Sequence, residues 1–245
     1  MQENWFKDWF NSPYYHILYK NRDESEAMNV IDKIITRLHP PSGSKIIDIA
    51  CGKGRHAFHL AKYPFDITGI DLSESSIAEA LINEKENLHF YTHDMRLPFW
   101  INYFNYAFNF FTSFGYFKTN KENENAIRTI AQSLVRGGHF IIDYMNTNYT
   151  ASHIVHSEEK NIDDIKFSII RWHDDRKFYK KIIIDDPMVS NSIVFVEEVQ
   201  KFSVGDFEKL FKMHGLIIKS IHGNYDFSRY DETESPRMII VAEKS

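Results

Sequence analysis

The sequence is short of three things: cysteine, basic residues and long apolar runs. Only one of its 245 residues is a cysteine, Cys51, which excludes an intramolecular disulfide framework and a zinc cluster built from cysteines. Lys and Arg number 29 against 34 Asp and Glu, for a formal charge of −5. The chain therefore lacks the basic excess of proteins that bind nucleic acid through its phosphates, and we expect no nucleic-acid partner.

No apolar run approaches the roughly 18 residues that a membrane-spanning helix needs. The first ten residues have neither the basic region nor the apolar region of a signal peptide. These absences predict a cytoplasmic protein with no membrane partner. Glycine is scarce as well, with 10 residues, so the few places where glycine does occur are informative.

What the chain does contain, up to about residue 150, is an alternation of apolar strands and amphipathic helices. The alternation predicts right-handed βαβ units and a parallel sheet. The predicted strands are 45–50, 66–71, 88–92, 106–111 and 139–144, and the predicted helices between them are 54–62, 73–82 and 120–135.

After about residue 150 the pattern changes to consecutive strands with short connections, which predicts an inserted antiparallel element. The acidic stretch 157–164 ahead of these strands is interpreted as a solvated loop. The predicted elements of this part are strands at 165–172, 177–185 and 192–201, a helix over 203–214, and two final strands at 216–222 and 237–243.

The most informative stretch follows the first predicted strand. Gly52 and Gly54 form a loop there, and a helix begins immediately after it, so a ligand can approach the backbone and the free amide groups of the helix. Asp48, at the end of the strand, would repel a pyrophosphate but suits a ligand that carries an ammonium group. The chain has no G-x-x-x-x-G-K-[ST] motif, which excludes a nucleoside triphosphate loop.

Two more acids stand at the ends of the next two strands. Asp71 can accept hydrogen bonds from both hydroxyls of a ribose, as a carboxylate does in dinucleotide-binding folds. Asp94 can accept from the exocyclic amine of adenine, with the apolar Met95 against the ring. Three acids at three successive strand ends, together with one glycine loop, predict binding of S-adenosylmethionine (SAM).

These motifs resemble those of class I SAM-dependent methyltransferases over nearly the whole chain. The combination of C-G-x-G-R-H, D-M-R and S-F-G-Y-F is similar to a group of bacterial small-molecule methyltransferases. The segment 14–27 also resembles the N-terminal arm of glycine and amino-sugar N-methyltransferases, and one departure is Phe104-Asn105, where the family usually has Phe-Asp. The matching segments are IIDIACGKGRHAFHLA (46–61), ITGIDLSESSI (67–77), HDMRLPF (93–99), NFFTSFGYF (109–117) and LVRGGHFIIDYMN (134–146).

The resemblance implies a single α/β domain. Its fold would be a Rossmann-like, seven-stranded, mostly parallel sheet with helices on both faces, an N-terminal helical lid and an inserted antiparallel β element. The implied cofactor is SAM, with S-adenosylhomocysteine (SAH) as its product, and the implied partner is a small-molecule methyl acceptor; the protein would be a monomer or a homodimer. The arm or lid would occupy 1–42, the SAM-binding core 43–150, the insertion 151–201, and the C-terminal helix and strands 202–245.

The resemblance also gives individual residues a role in cofactor binding. Arg55 and Arg96 could equally contact the cofactor or form structural salt bridges, Arg55 with an acid such as Asp94. The other implied contacts are Tyr15 in the lid, Tyr19 and Arg22 at the methionine carboxylate, Asp48 and the Phe110 carbonyl at the methionine amino group, Ala50, Gly52 and Gly54 in the loop, Asp71 at the ribose, Leu72 and Met95 at the adenine ring, and Asp94 at the adenine amine.

The sequence leaves the acceptor and any catalytic residue open. An amine acceptor needs only to be deprotonated and aimed, whereas a hydroxyl acceptor needs a base, for which Tyr15 and Asp143 are candidates. No metal is expected, because His56 and His59 lack a third ligand at a recognisable spacing. Two other functions stay open: a non-catalytic SAM or SAH sensor or scaffold, and a protein or RNA methyltransferase.

Overall fold

Two β-sheets and the helices that pack on them make up the protein, of which a computed structural model describes residues 5–20 and 24–245. Within these ranges no helix is both long enough and apolar enough to cross a membrane. The helices are α1 (Trp5–Phe10), α2 (Pro13–Leu18), α3 (Glu24–Leu38), α4 (Arg55–Leu60), α5 (Glu74–Leu81), α6 (Asn120–Ser133), α7 (Thr147–Ser152) and α8 (Val204–Met213). The strands are β1 (Lys45–Ile49), β2 (Asp66–Asp71), β3 (Leu88–Thr92), β4 (Phe104–Asn109), β5 (Leu134–Met145), β6 (Ser157–Ile162), β7 (Ile165–His173), β8 (Lys177–Asp185), β9 (Ile193–Gln200), β10 (Leu216–His222) and β11 (Arg237–Lys244).

The larger sheet has seven strands in the order β10-β11-β5-β4-β1-β2-β3, and β11 alone runs opposite to the other six. The predicted seven-stranded, mostly parallel sheet is therefore confirmed. Both faces are covered, as a parallel sheet requires. Successive residues of β1 point to opposite faces, so Ile46 packs in a core cluster with Ile31 of α3, while Ile47 packs in a second cluster with Ile127 of α6.

The smaller sheet is the predicted antiparallel insertion, and it has four strands in the order β6-β7-β8-β9. The interpretation of 157–164 as a solvated loop was wrong, because Ser157–Ile162 pairs with β7 from Ser157↔Ile170 to Ile162↔Ile165. The charges that suggested a loop are compatible with an edge strand, where both faces are largely exposed and charged side chains discourage pairing with other chains.

Two strand boundaries of the larger sheet also differ from the prediction. β4 ends at Asn109 rather than 111, because Phe111 and Thr112 both have positive φ angles, 54° and 60°, and turn the chain sharply. β5 begins at Leu134 rather than 139, and its pairing with β4 shifts register between Phe104 and Tyr106. The loop that follows β4 therefore begins at Phe110, at the carboxyl end of this strand.

The first part of the predicted N-terminal arm, which contains α1 and α2 and ends near Tyr19, lies between the two sheets and is hereafter called the arm. Trp9 is fully buried and its ring centroid is 4.7 Å from that of Phe195 on β9. Phe6 is buried against Phe117 of the larger sheet's loops, at 5.9 Å between ring centroids. The arm therefore joins the inserted sheet to the parallel sheet, at the edge where the parallel strands end.

Candidate functional site

A cavity opens at the carboxyl ends of β1, β2 and β3, beneath the N-terminal arm. It contains about 1050 Å³ of atom-free space, a figure that includes its open mouth. Eight of the residues predicted to bind a cofactor line it: Tyr15, Tyr19, Ala50, Gly52, Asp71, Leu72, Asp94 and Met95. Asp48, Gly54, Arg55, Arg96 and Phe110 are not among its lining residues, and Arg22 falls outside the described residues.

The glycine loop presents backbone to the cavity. Gly52 has a φ of 57°, and a Cβ placed on it would meet no atom within 4 Å, so the space above it is open. Gly54 has a φ of 84°, but a Cβ there would come within 2.7 Å of the Phe90 ring. Gly52 therefore leaves room for a ligand, whereas Gly54 allows the loop to pack onto β3.

Asp71 ties this loop to the next one. Its Oδ2 accepts a hydrogen bond from the Gly52 amide at 2.8 Å, and its Oδ1 accepts one from the Ser73 amide at 2.8 Å. Burial raises the pKa of the Asp71 carboxyl, and the two amides oppose this effect because they favour the charged form. A carboxylate oriented by two backbone donors at the cavity wall has accepting capacity left for hydroxyl groups of a ligand.

Asp48 lies beneath the loop rather than on the cavity wall. It is 1% exposed, and its Oδ2 accepts no hydrogen bond from any residue that the structure describes. Burial, with a smaller contribution from the charge of Asp71, raises the pKa of Asp48 to about 8, although Arg55 opposes the shift. Near neutral pH the Asp48 carboxyl is thus mostly protonated, and a cation nearby would favour its ionisation.

The raised pKa of Asp48 makes a prediction about stability. An unfolded Asp ionises near pH ~4, so the protonated form in the folded protein contributes stability that is complete below that pH. This contribution is lost as the pH rises towards about 8, the folded-state pKa. We expect the Asp48→Asn variant to gain stability relative to wild type across this window, by up to about 1.4 kcal/mol per pH unit. Urea unfolding at several pH values measures the difference, and a pH-independent difference would contradict the assignment.

Asp94 is held by Arg96 and not by Arg55. Arg96 donates from Nε to Asp94 Oδ1 at 3.0 Å and from Nη2 to Oδ2 at 2.6 Å, and from Nη1 to Glu122 at 2.5 Å. Burial opposes ionisation of Asp94, yet the hydrogen bonds from Arg96 keep its pKa below the ordinary value. Arg96 therefore forms a structural salt bridge that keeps Asp94 charged, while the Arg55 guanidinium lies 4.6 Å from the centroid of the Phe111 ring.

Asp143, which the sequence offered as a candidate base, is buried behind the loop that follows β4. Its Oδ1 accepts from Arg237 Nε at 2.8 Å, and its Oδ2 accepts from Tyr225 Oη at 2.6 Å and from the Phe111 amide at 2.8 Å. Its carbonyl accepts from the Thr112 amide at 2.9 Å. With both oxygens engaged and no position on the cavity wall, Asp143 orients the loop and is a poor candidate for a base.

The loop that Asp143 holds contributes directly to the cavity. Phe111 and Ser113 line the wall, and the predicted cofactor contact Phe110 is buried beside them, its carbonyl accepting from Ser113 Oγ at 2.7 Å. The other candidate base, Tyr15, lies on the wall, with its ring 4.9 Å from that of Tyr19 and 5.1 Å from that of Phe10.

Glu197 on β9 is a charged residue of the cavity wall that was not predicted from the sequence. Its Oε1 accepts hydrogen bonds from Trp9 Nε1 at 2.7 Å and from Tyr19 Oη at 3.4 Å, and it lies 3.3 Å from Lys180 Nζ. Glu197 could have been found from the alternation of side chains along a strand, which puts it on the same face as the apolar Phe195 and Val199.

Comparison with known proteins gives one family and several relatives. A model of the family described as a methyltransferase domain matches residues 40–186. The dTDP-3-amino-3,4,6-trideoxy-alpha-D-glucopyranose N,N-dimethyltransferase of Streptomyces venezuelae is 23% identical over 218 residues, which cover 85% of this chain and 91% of that protein.

Two solved structures illustrate how far the fold is shared. A S-adenosylmethionine-dependent methyltransferase from Clostridium acetobutylicum ATCC 824 gives a TM-score of 0.76 at 18% identity, over 95% of this chain and 96% of its own. SAM-bound CalS10, an amino pentose methyltransferase from Micromonospora echinaspora, gives a TM-score of 0.69 at 17% identity, over 96% of this chain and 98% of its own. Since the family match spans more than half of the sequence, the chain belongs to the methyltransferase domain family and is a SAM-dependent methyltransferase.

Proposed function

We propose that the chain binds SAM in this cavity and transfers its methyl group to the amino group of a small, sugar-like acceptor. The observation that carries the cofactor part is the open space above Gly52 beside the oriented carboxylate of Asp71. In this proposal Asp71 binds the ribose hydroxyls, Leu72 and Met95 cover the adenine, and Asp94 accepts from its amine.

The methionine end of SAM would lie along the first strand end. Its ammonium group would be near the carbonyl of Phe110 and near Asp48, whose Oδ2 has no hydrogen-bond partner among the described residues and would suit a cationic ligand. The backbone of Ala50 and Gly52 would pack on the methionine chain, and Tyr19 and Arg22 would reach its carboxylate. Gly54 and Arg55 would act indirectly, by packing the loop and by balancing the charge of Asp48.

The acceptor part rests on the shape of the cavity and on its relatives. The wall opposite the glycine loop comes from the arm, β9 and the loop after β4. It is aromatic, with Tyr15, Tyr19 and Tyr116, so it encloses a small molecule better than a polymer. The curated Streptomyces venezuelae relative carries an amino-sugar N,N-dimethyltransferase name, which favours an amine as the acceptor. Bound SAM supplies a methyl group on a sulfonium; the protein aligns the acceptor nitrogen with it and excludes water.

A two-step experiment tests this proposal. Calorimetry with SAM and SAH measures cofactor binding, and SAH release is then followed with free and dTDP-linked amino sugars, each beside its hydroxyl counterpart. We expect both nucleosides to bind and the amino members alone to be methylated. Methylation of the hydroxyl members only, or turnover only with RNA or protein, would contradict the proposed acceptor.

A further inference from the structure

Glu197 occupies a position where the sheet pattern calls for an apolar side chain. On β9 it lies between Phe195 and Val199 on the face that packs against the arm, since side chains of a strand alternate between faces. The residue opposite it on β8 is Lys180. That residue lies in turn between Phe178 and Ile182, both buried. A carboxylate and an ammonium thus replace one pair of apolar side chains in the middle of a packed face.

Burying a charged pair at this position costs free energy of folding, which suggests that the charges have a functional role. The Glu197 and Lys180 side chains are only 15% and 16% exposed, and removing charged groups from water is unfavourable even when they are paired. Trp9 and Tyr19, both from the arm, add hydrogen bonds to the same carboxylate oxygen. These donors hold Oε1, whereas Oε2 accepts no hydrogen bond from residues 5–20 or 24–245.

Within the described part of the chain, three carboxylates line the cavity, and they divide between its two sides. Asp71 and Asp94 follow β2 and β3, where the cofactor is proposed to bind, and both are oriented by backbone or arginine donors. Glu197 reaches the cavity from the inserted sheet and the arm. It is therefore the carboxylate available to a second ligand.

We propose that Glu197 is the ammonium-binding residue of the acceptor subsite, and that it takes a proton from the acceptor amine. This rests on the amine acceptor proposed above. The N–H bond breaks, its electron pair stays on nitrogen as the lone pair, and the proton goes to Oε2. The neutral amine then forms the N–C bond while the C–S bond of the sulfonium breaks, which leaves neutral SAH and a methylated ammonium ion. The proton on Glu197 returns to solvent.

The pH profile of Glu197→Gln tests this role. Wild type uses the protonated amine, so its kcat/KM for glucosamine or a dTDP-linked amino sugar stays flat as the pH falls below the pKa of the amine. The variant needs an amine already deprotonated in solution, so its kcat/KM falls by about 10- to 100-fold near pH 7. It then recovers about tenfold per pH unit towards the pKa of the amine.

The matched control is Glu198→Gln. Glu198 is the next residue on β9, points to the opposite face and pairs with Lys177 at 2.6 Å, so the substitution also removes a paired carboxylate. We expect it to keep the wild-type profile. SAH affinity and thermal unfolding of Glu197→Gln establish that the variant is folded and binds the cofactor side normally.

The outcomes separate the two proposals. A Glu197→Gln variant with wild-type kcat/KM, or with a uniform loss at every pH, would overturn the role of Glu197 while leaving the amine acceptor intact. If wild type methylates no amine, the proposed function is wrong. Binding of glucosamine to the SAH-loaded proteins then decides the role of Glu197, since equal affinity for wild type and variant, or no binding to either, overturns it.

Discussion

Replacing Asp71 with asparagine is expected to weaken SAM binding by roughly 30- to 150-fold, or about 2–3 kcal/mol. Asp71 accepts from the amides of Gly52 and Ser73, one on each oxygen. An asparagine offers one oxygen and one NH₂ group, so one of the two amides would face another donor. The variant would lose a ribose acceptor and also the link that shapes the glycine loop, two effects that act on the same ligand.

Titration calorimetry with SAM and with SAH measures this loss, and both ligands should lose affinity alike because they share the ribose. The control is Asp66→Asn, an acid at the other end of the same strand, remote from the cavity. Thermal unfolding of both variants in the absence of ligand separates a binding effect from a folding effect. If Asp71→Asn bound SAM within about threefold of wild type, the orientation proposed for the cofactor would be wrong.

The parallel half of the fold could be predicted because its signals are local. Each strand from β1 to β3 is a short apolar run that ends at an acid or a glycine loop, and the carboxyl ends of parallel strands meet at one edge of the sheet. This geometry is why Asp71, Asp94 and the Gly52 loop, read from separate stretches of sequence, come together at one cavity.

The parts that could not be predicted depend on contacts between distant residues. β6 is polar along its length and forms only because β7 offers its backbone, so no property of Ser157–Ile162 alone identifies it. The partner of Asp94 follows from the turn that brings Arg96 back onto it, and the sequence could not distinguish Arg96 from Arg55.

Asp143 shows the same limit in β5, a strand that the sequence predicted although its first residues were missed. A carboxylate near a strand end was a reasonable candidate for a base, but its surroundings depend on β11 and the loop after β10. Arg237 and Tyr225, both more than 80 positions away, occupy its oxygens. Glu197 is the opposite case. The two-residue alternation along β9 puts it on the same face as Phe195 and Val199, so the sequence pattern could have identified it as a charged residue on an apolar face.

The second large effect is expected at the ion pair between Asp143 and Arg237. There, Asp143→Asn should destabilise the protein by about 3–5 kcal/mol. Asp143 is 1% exposed and lies 2.7 Å from Arg237 Nη2. The asparagine leaves the guanidinium without a counter-charge, and its NH₂ group meets donors from Arg237, Tyr225 or the Phe111 amide. Urea unfolding followed by circular dichroism measures the loss. Glu243→Gln, in a partly exposed pair with Lys219 at the other end of β11, should change stability by less than about 1 kcal/mol.

A second substitution distinguishes an uncompensated charge from a simple loss of packing. In the double variant Asp143→Asn/Arg237→Met the unpaired cation is gone, so part of the lost stability should return even though a further native contact has been removed. The loop at Phe111 and Thr112 would still lack the carboxylate that accepts from its backbone, so its positive φ angles would be less well supported. We therefore expect the double variant to regain stability without regaining acceptor turnover, which would assign Asp143 to positioning the cavity wall. A double variant less stable than Asp143→Asn alone would show that the charge of Arg237 is not what the aspartate balances.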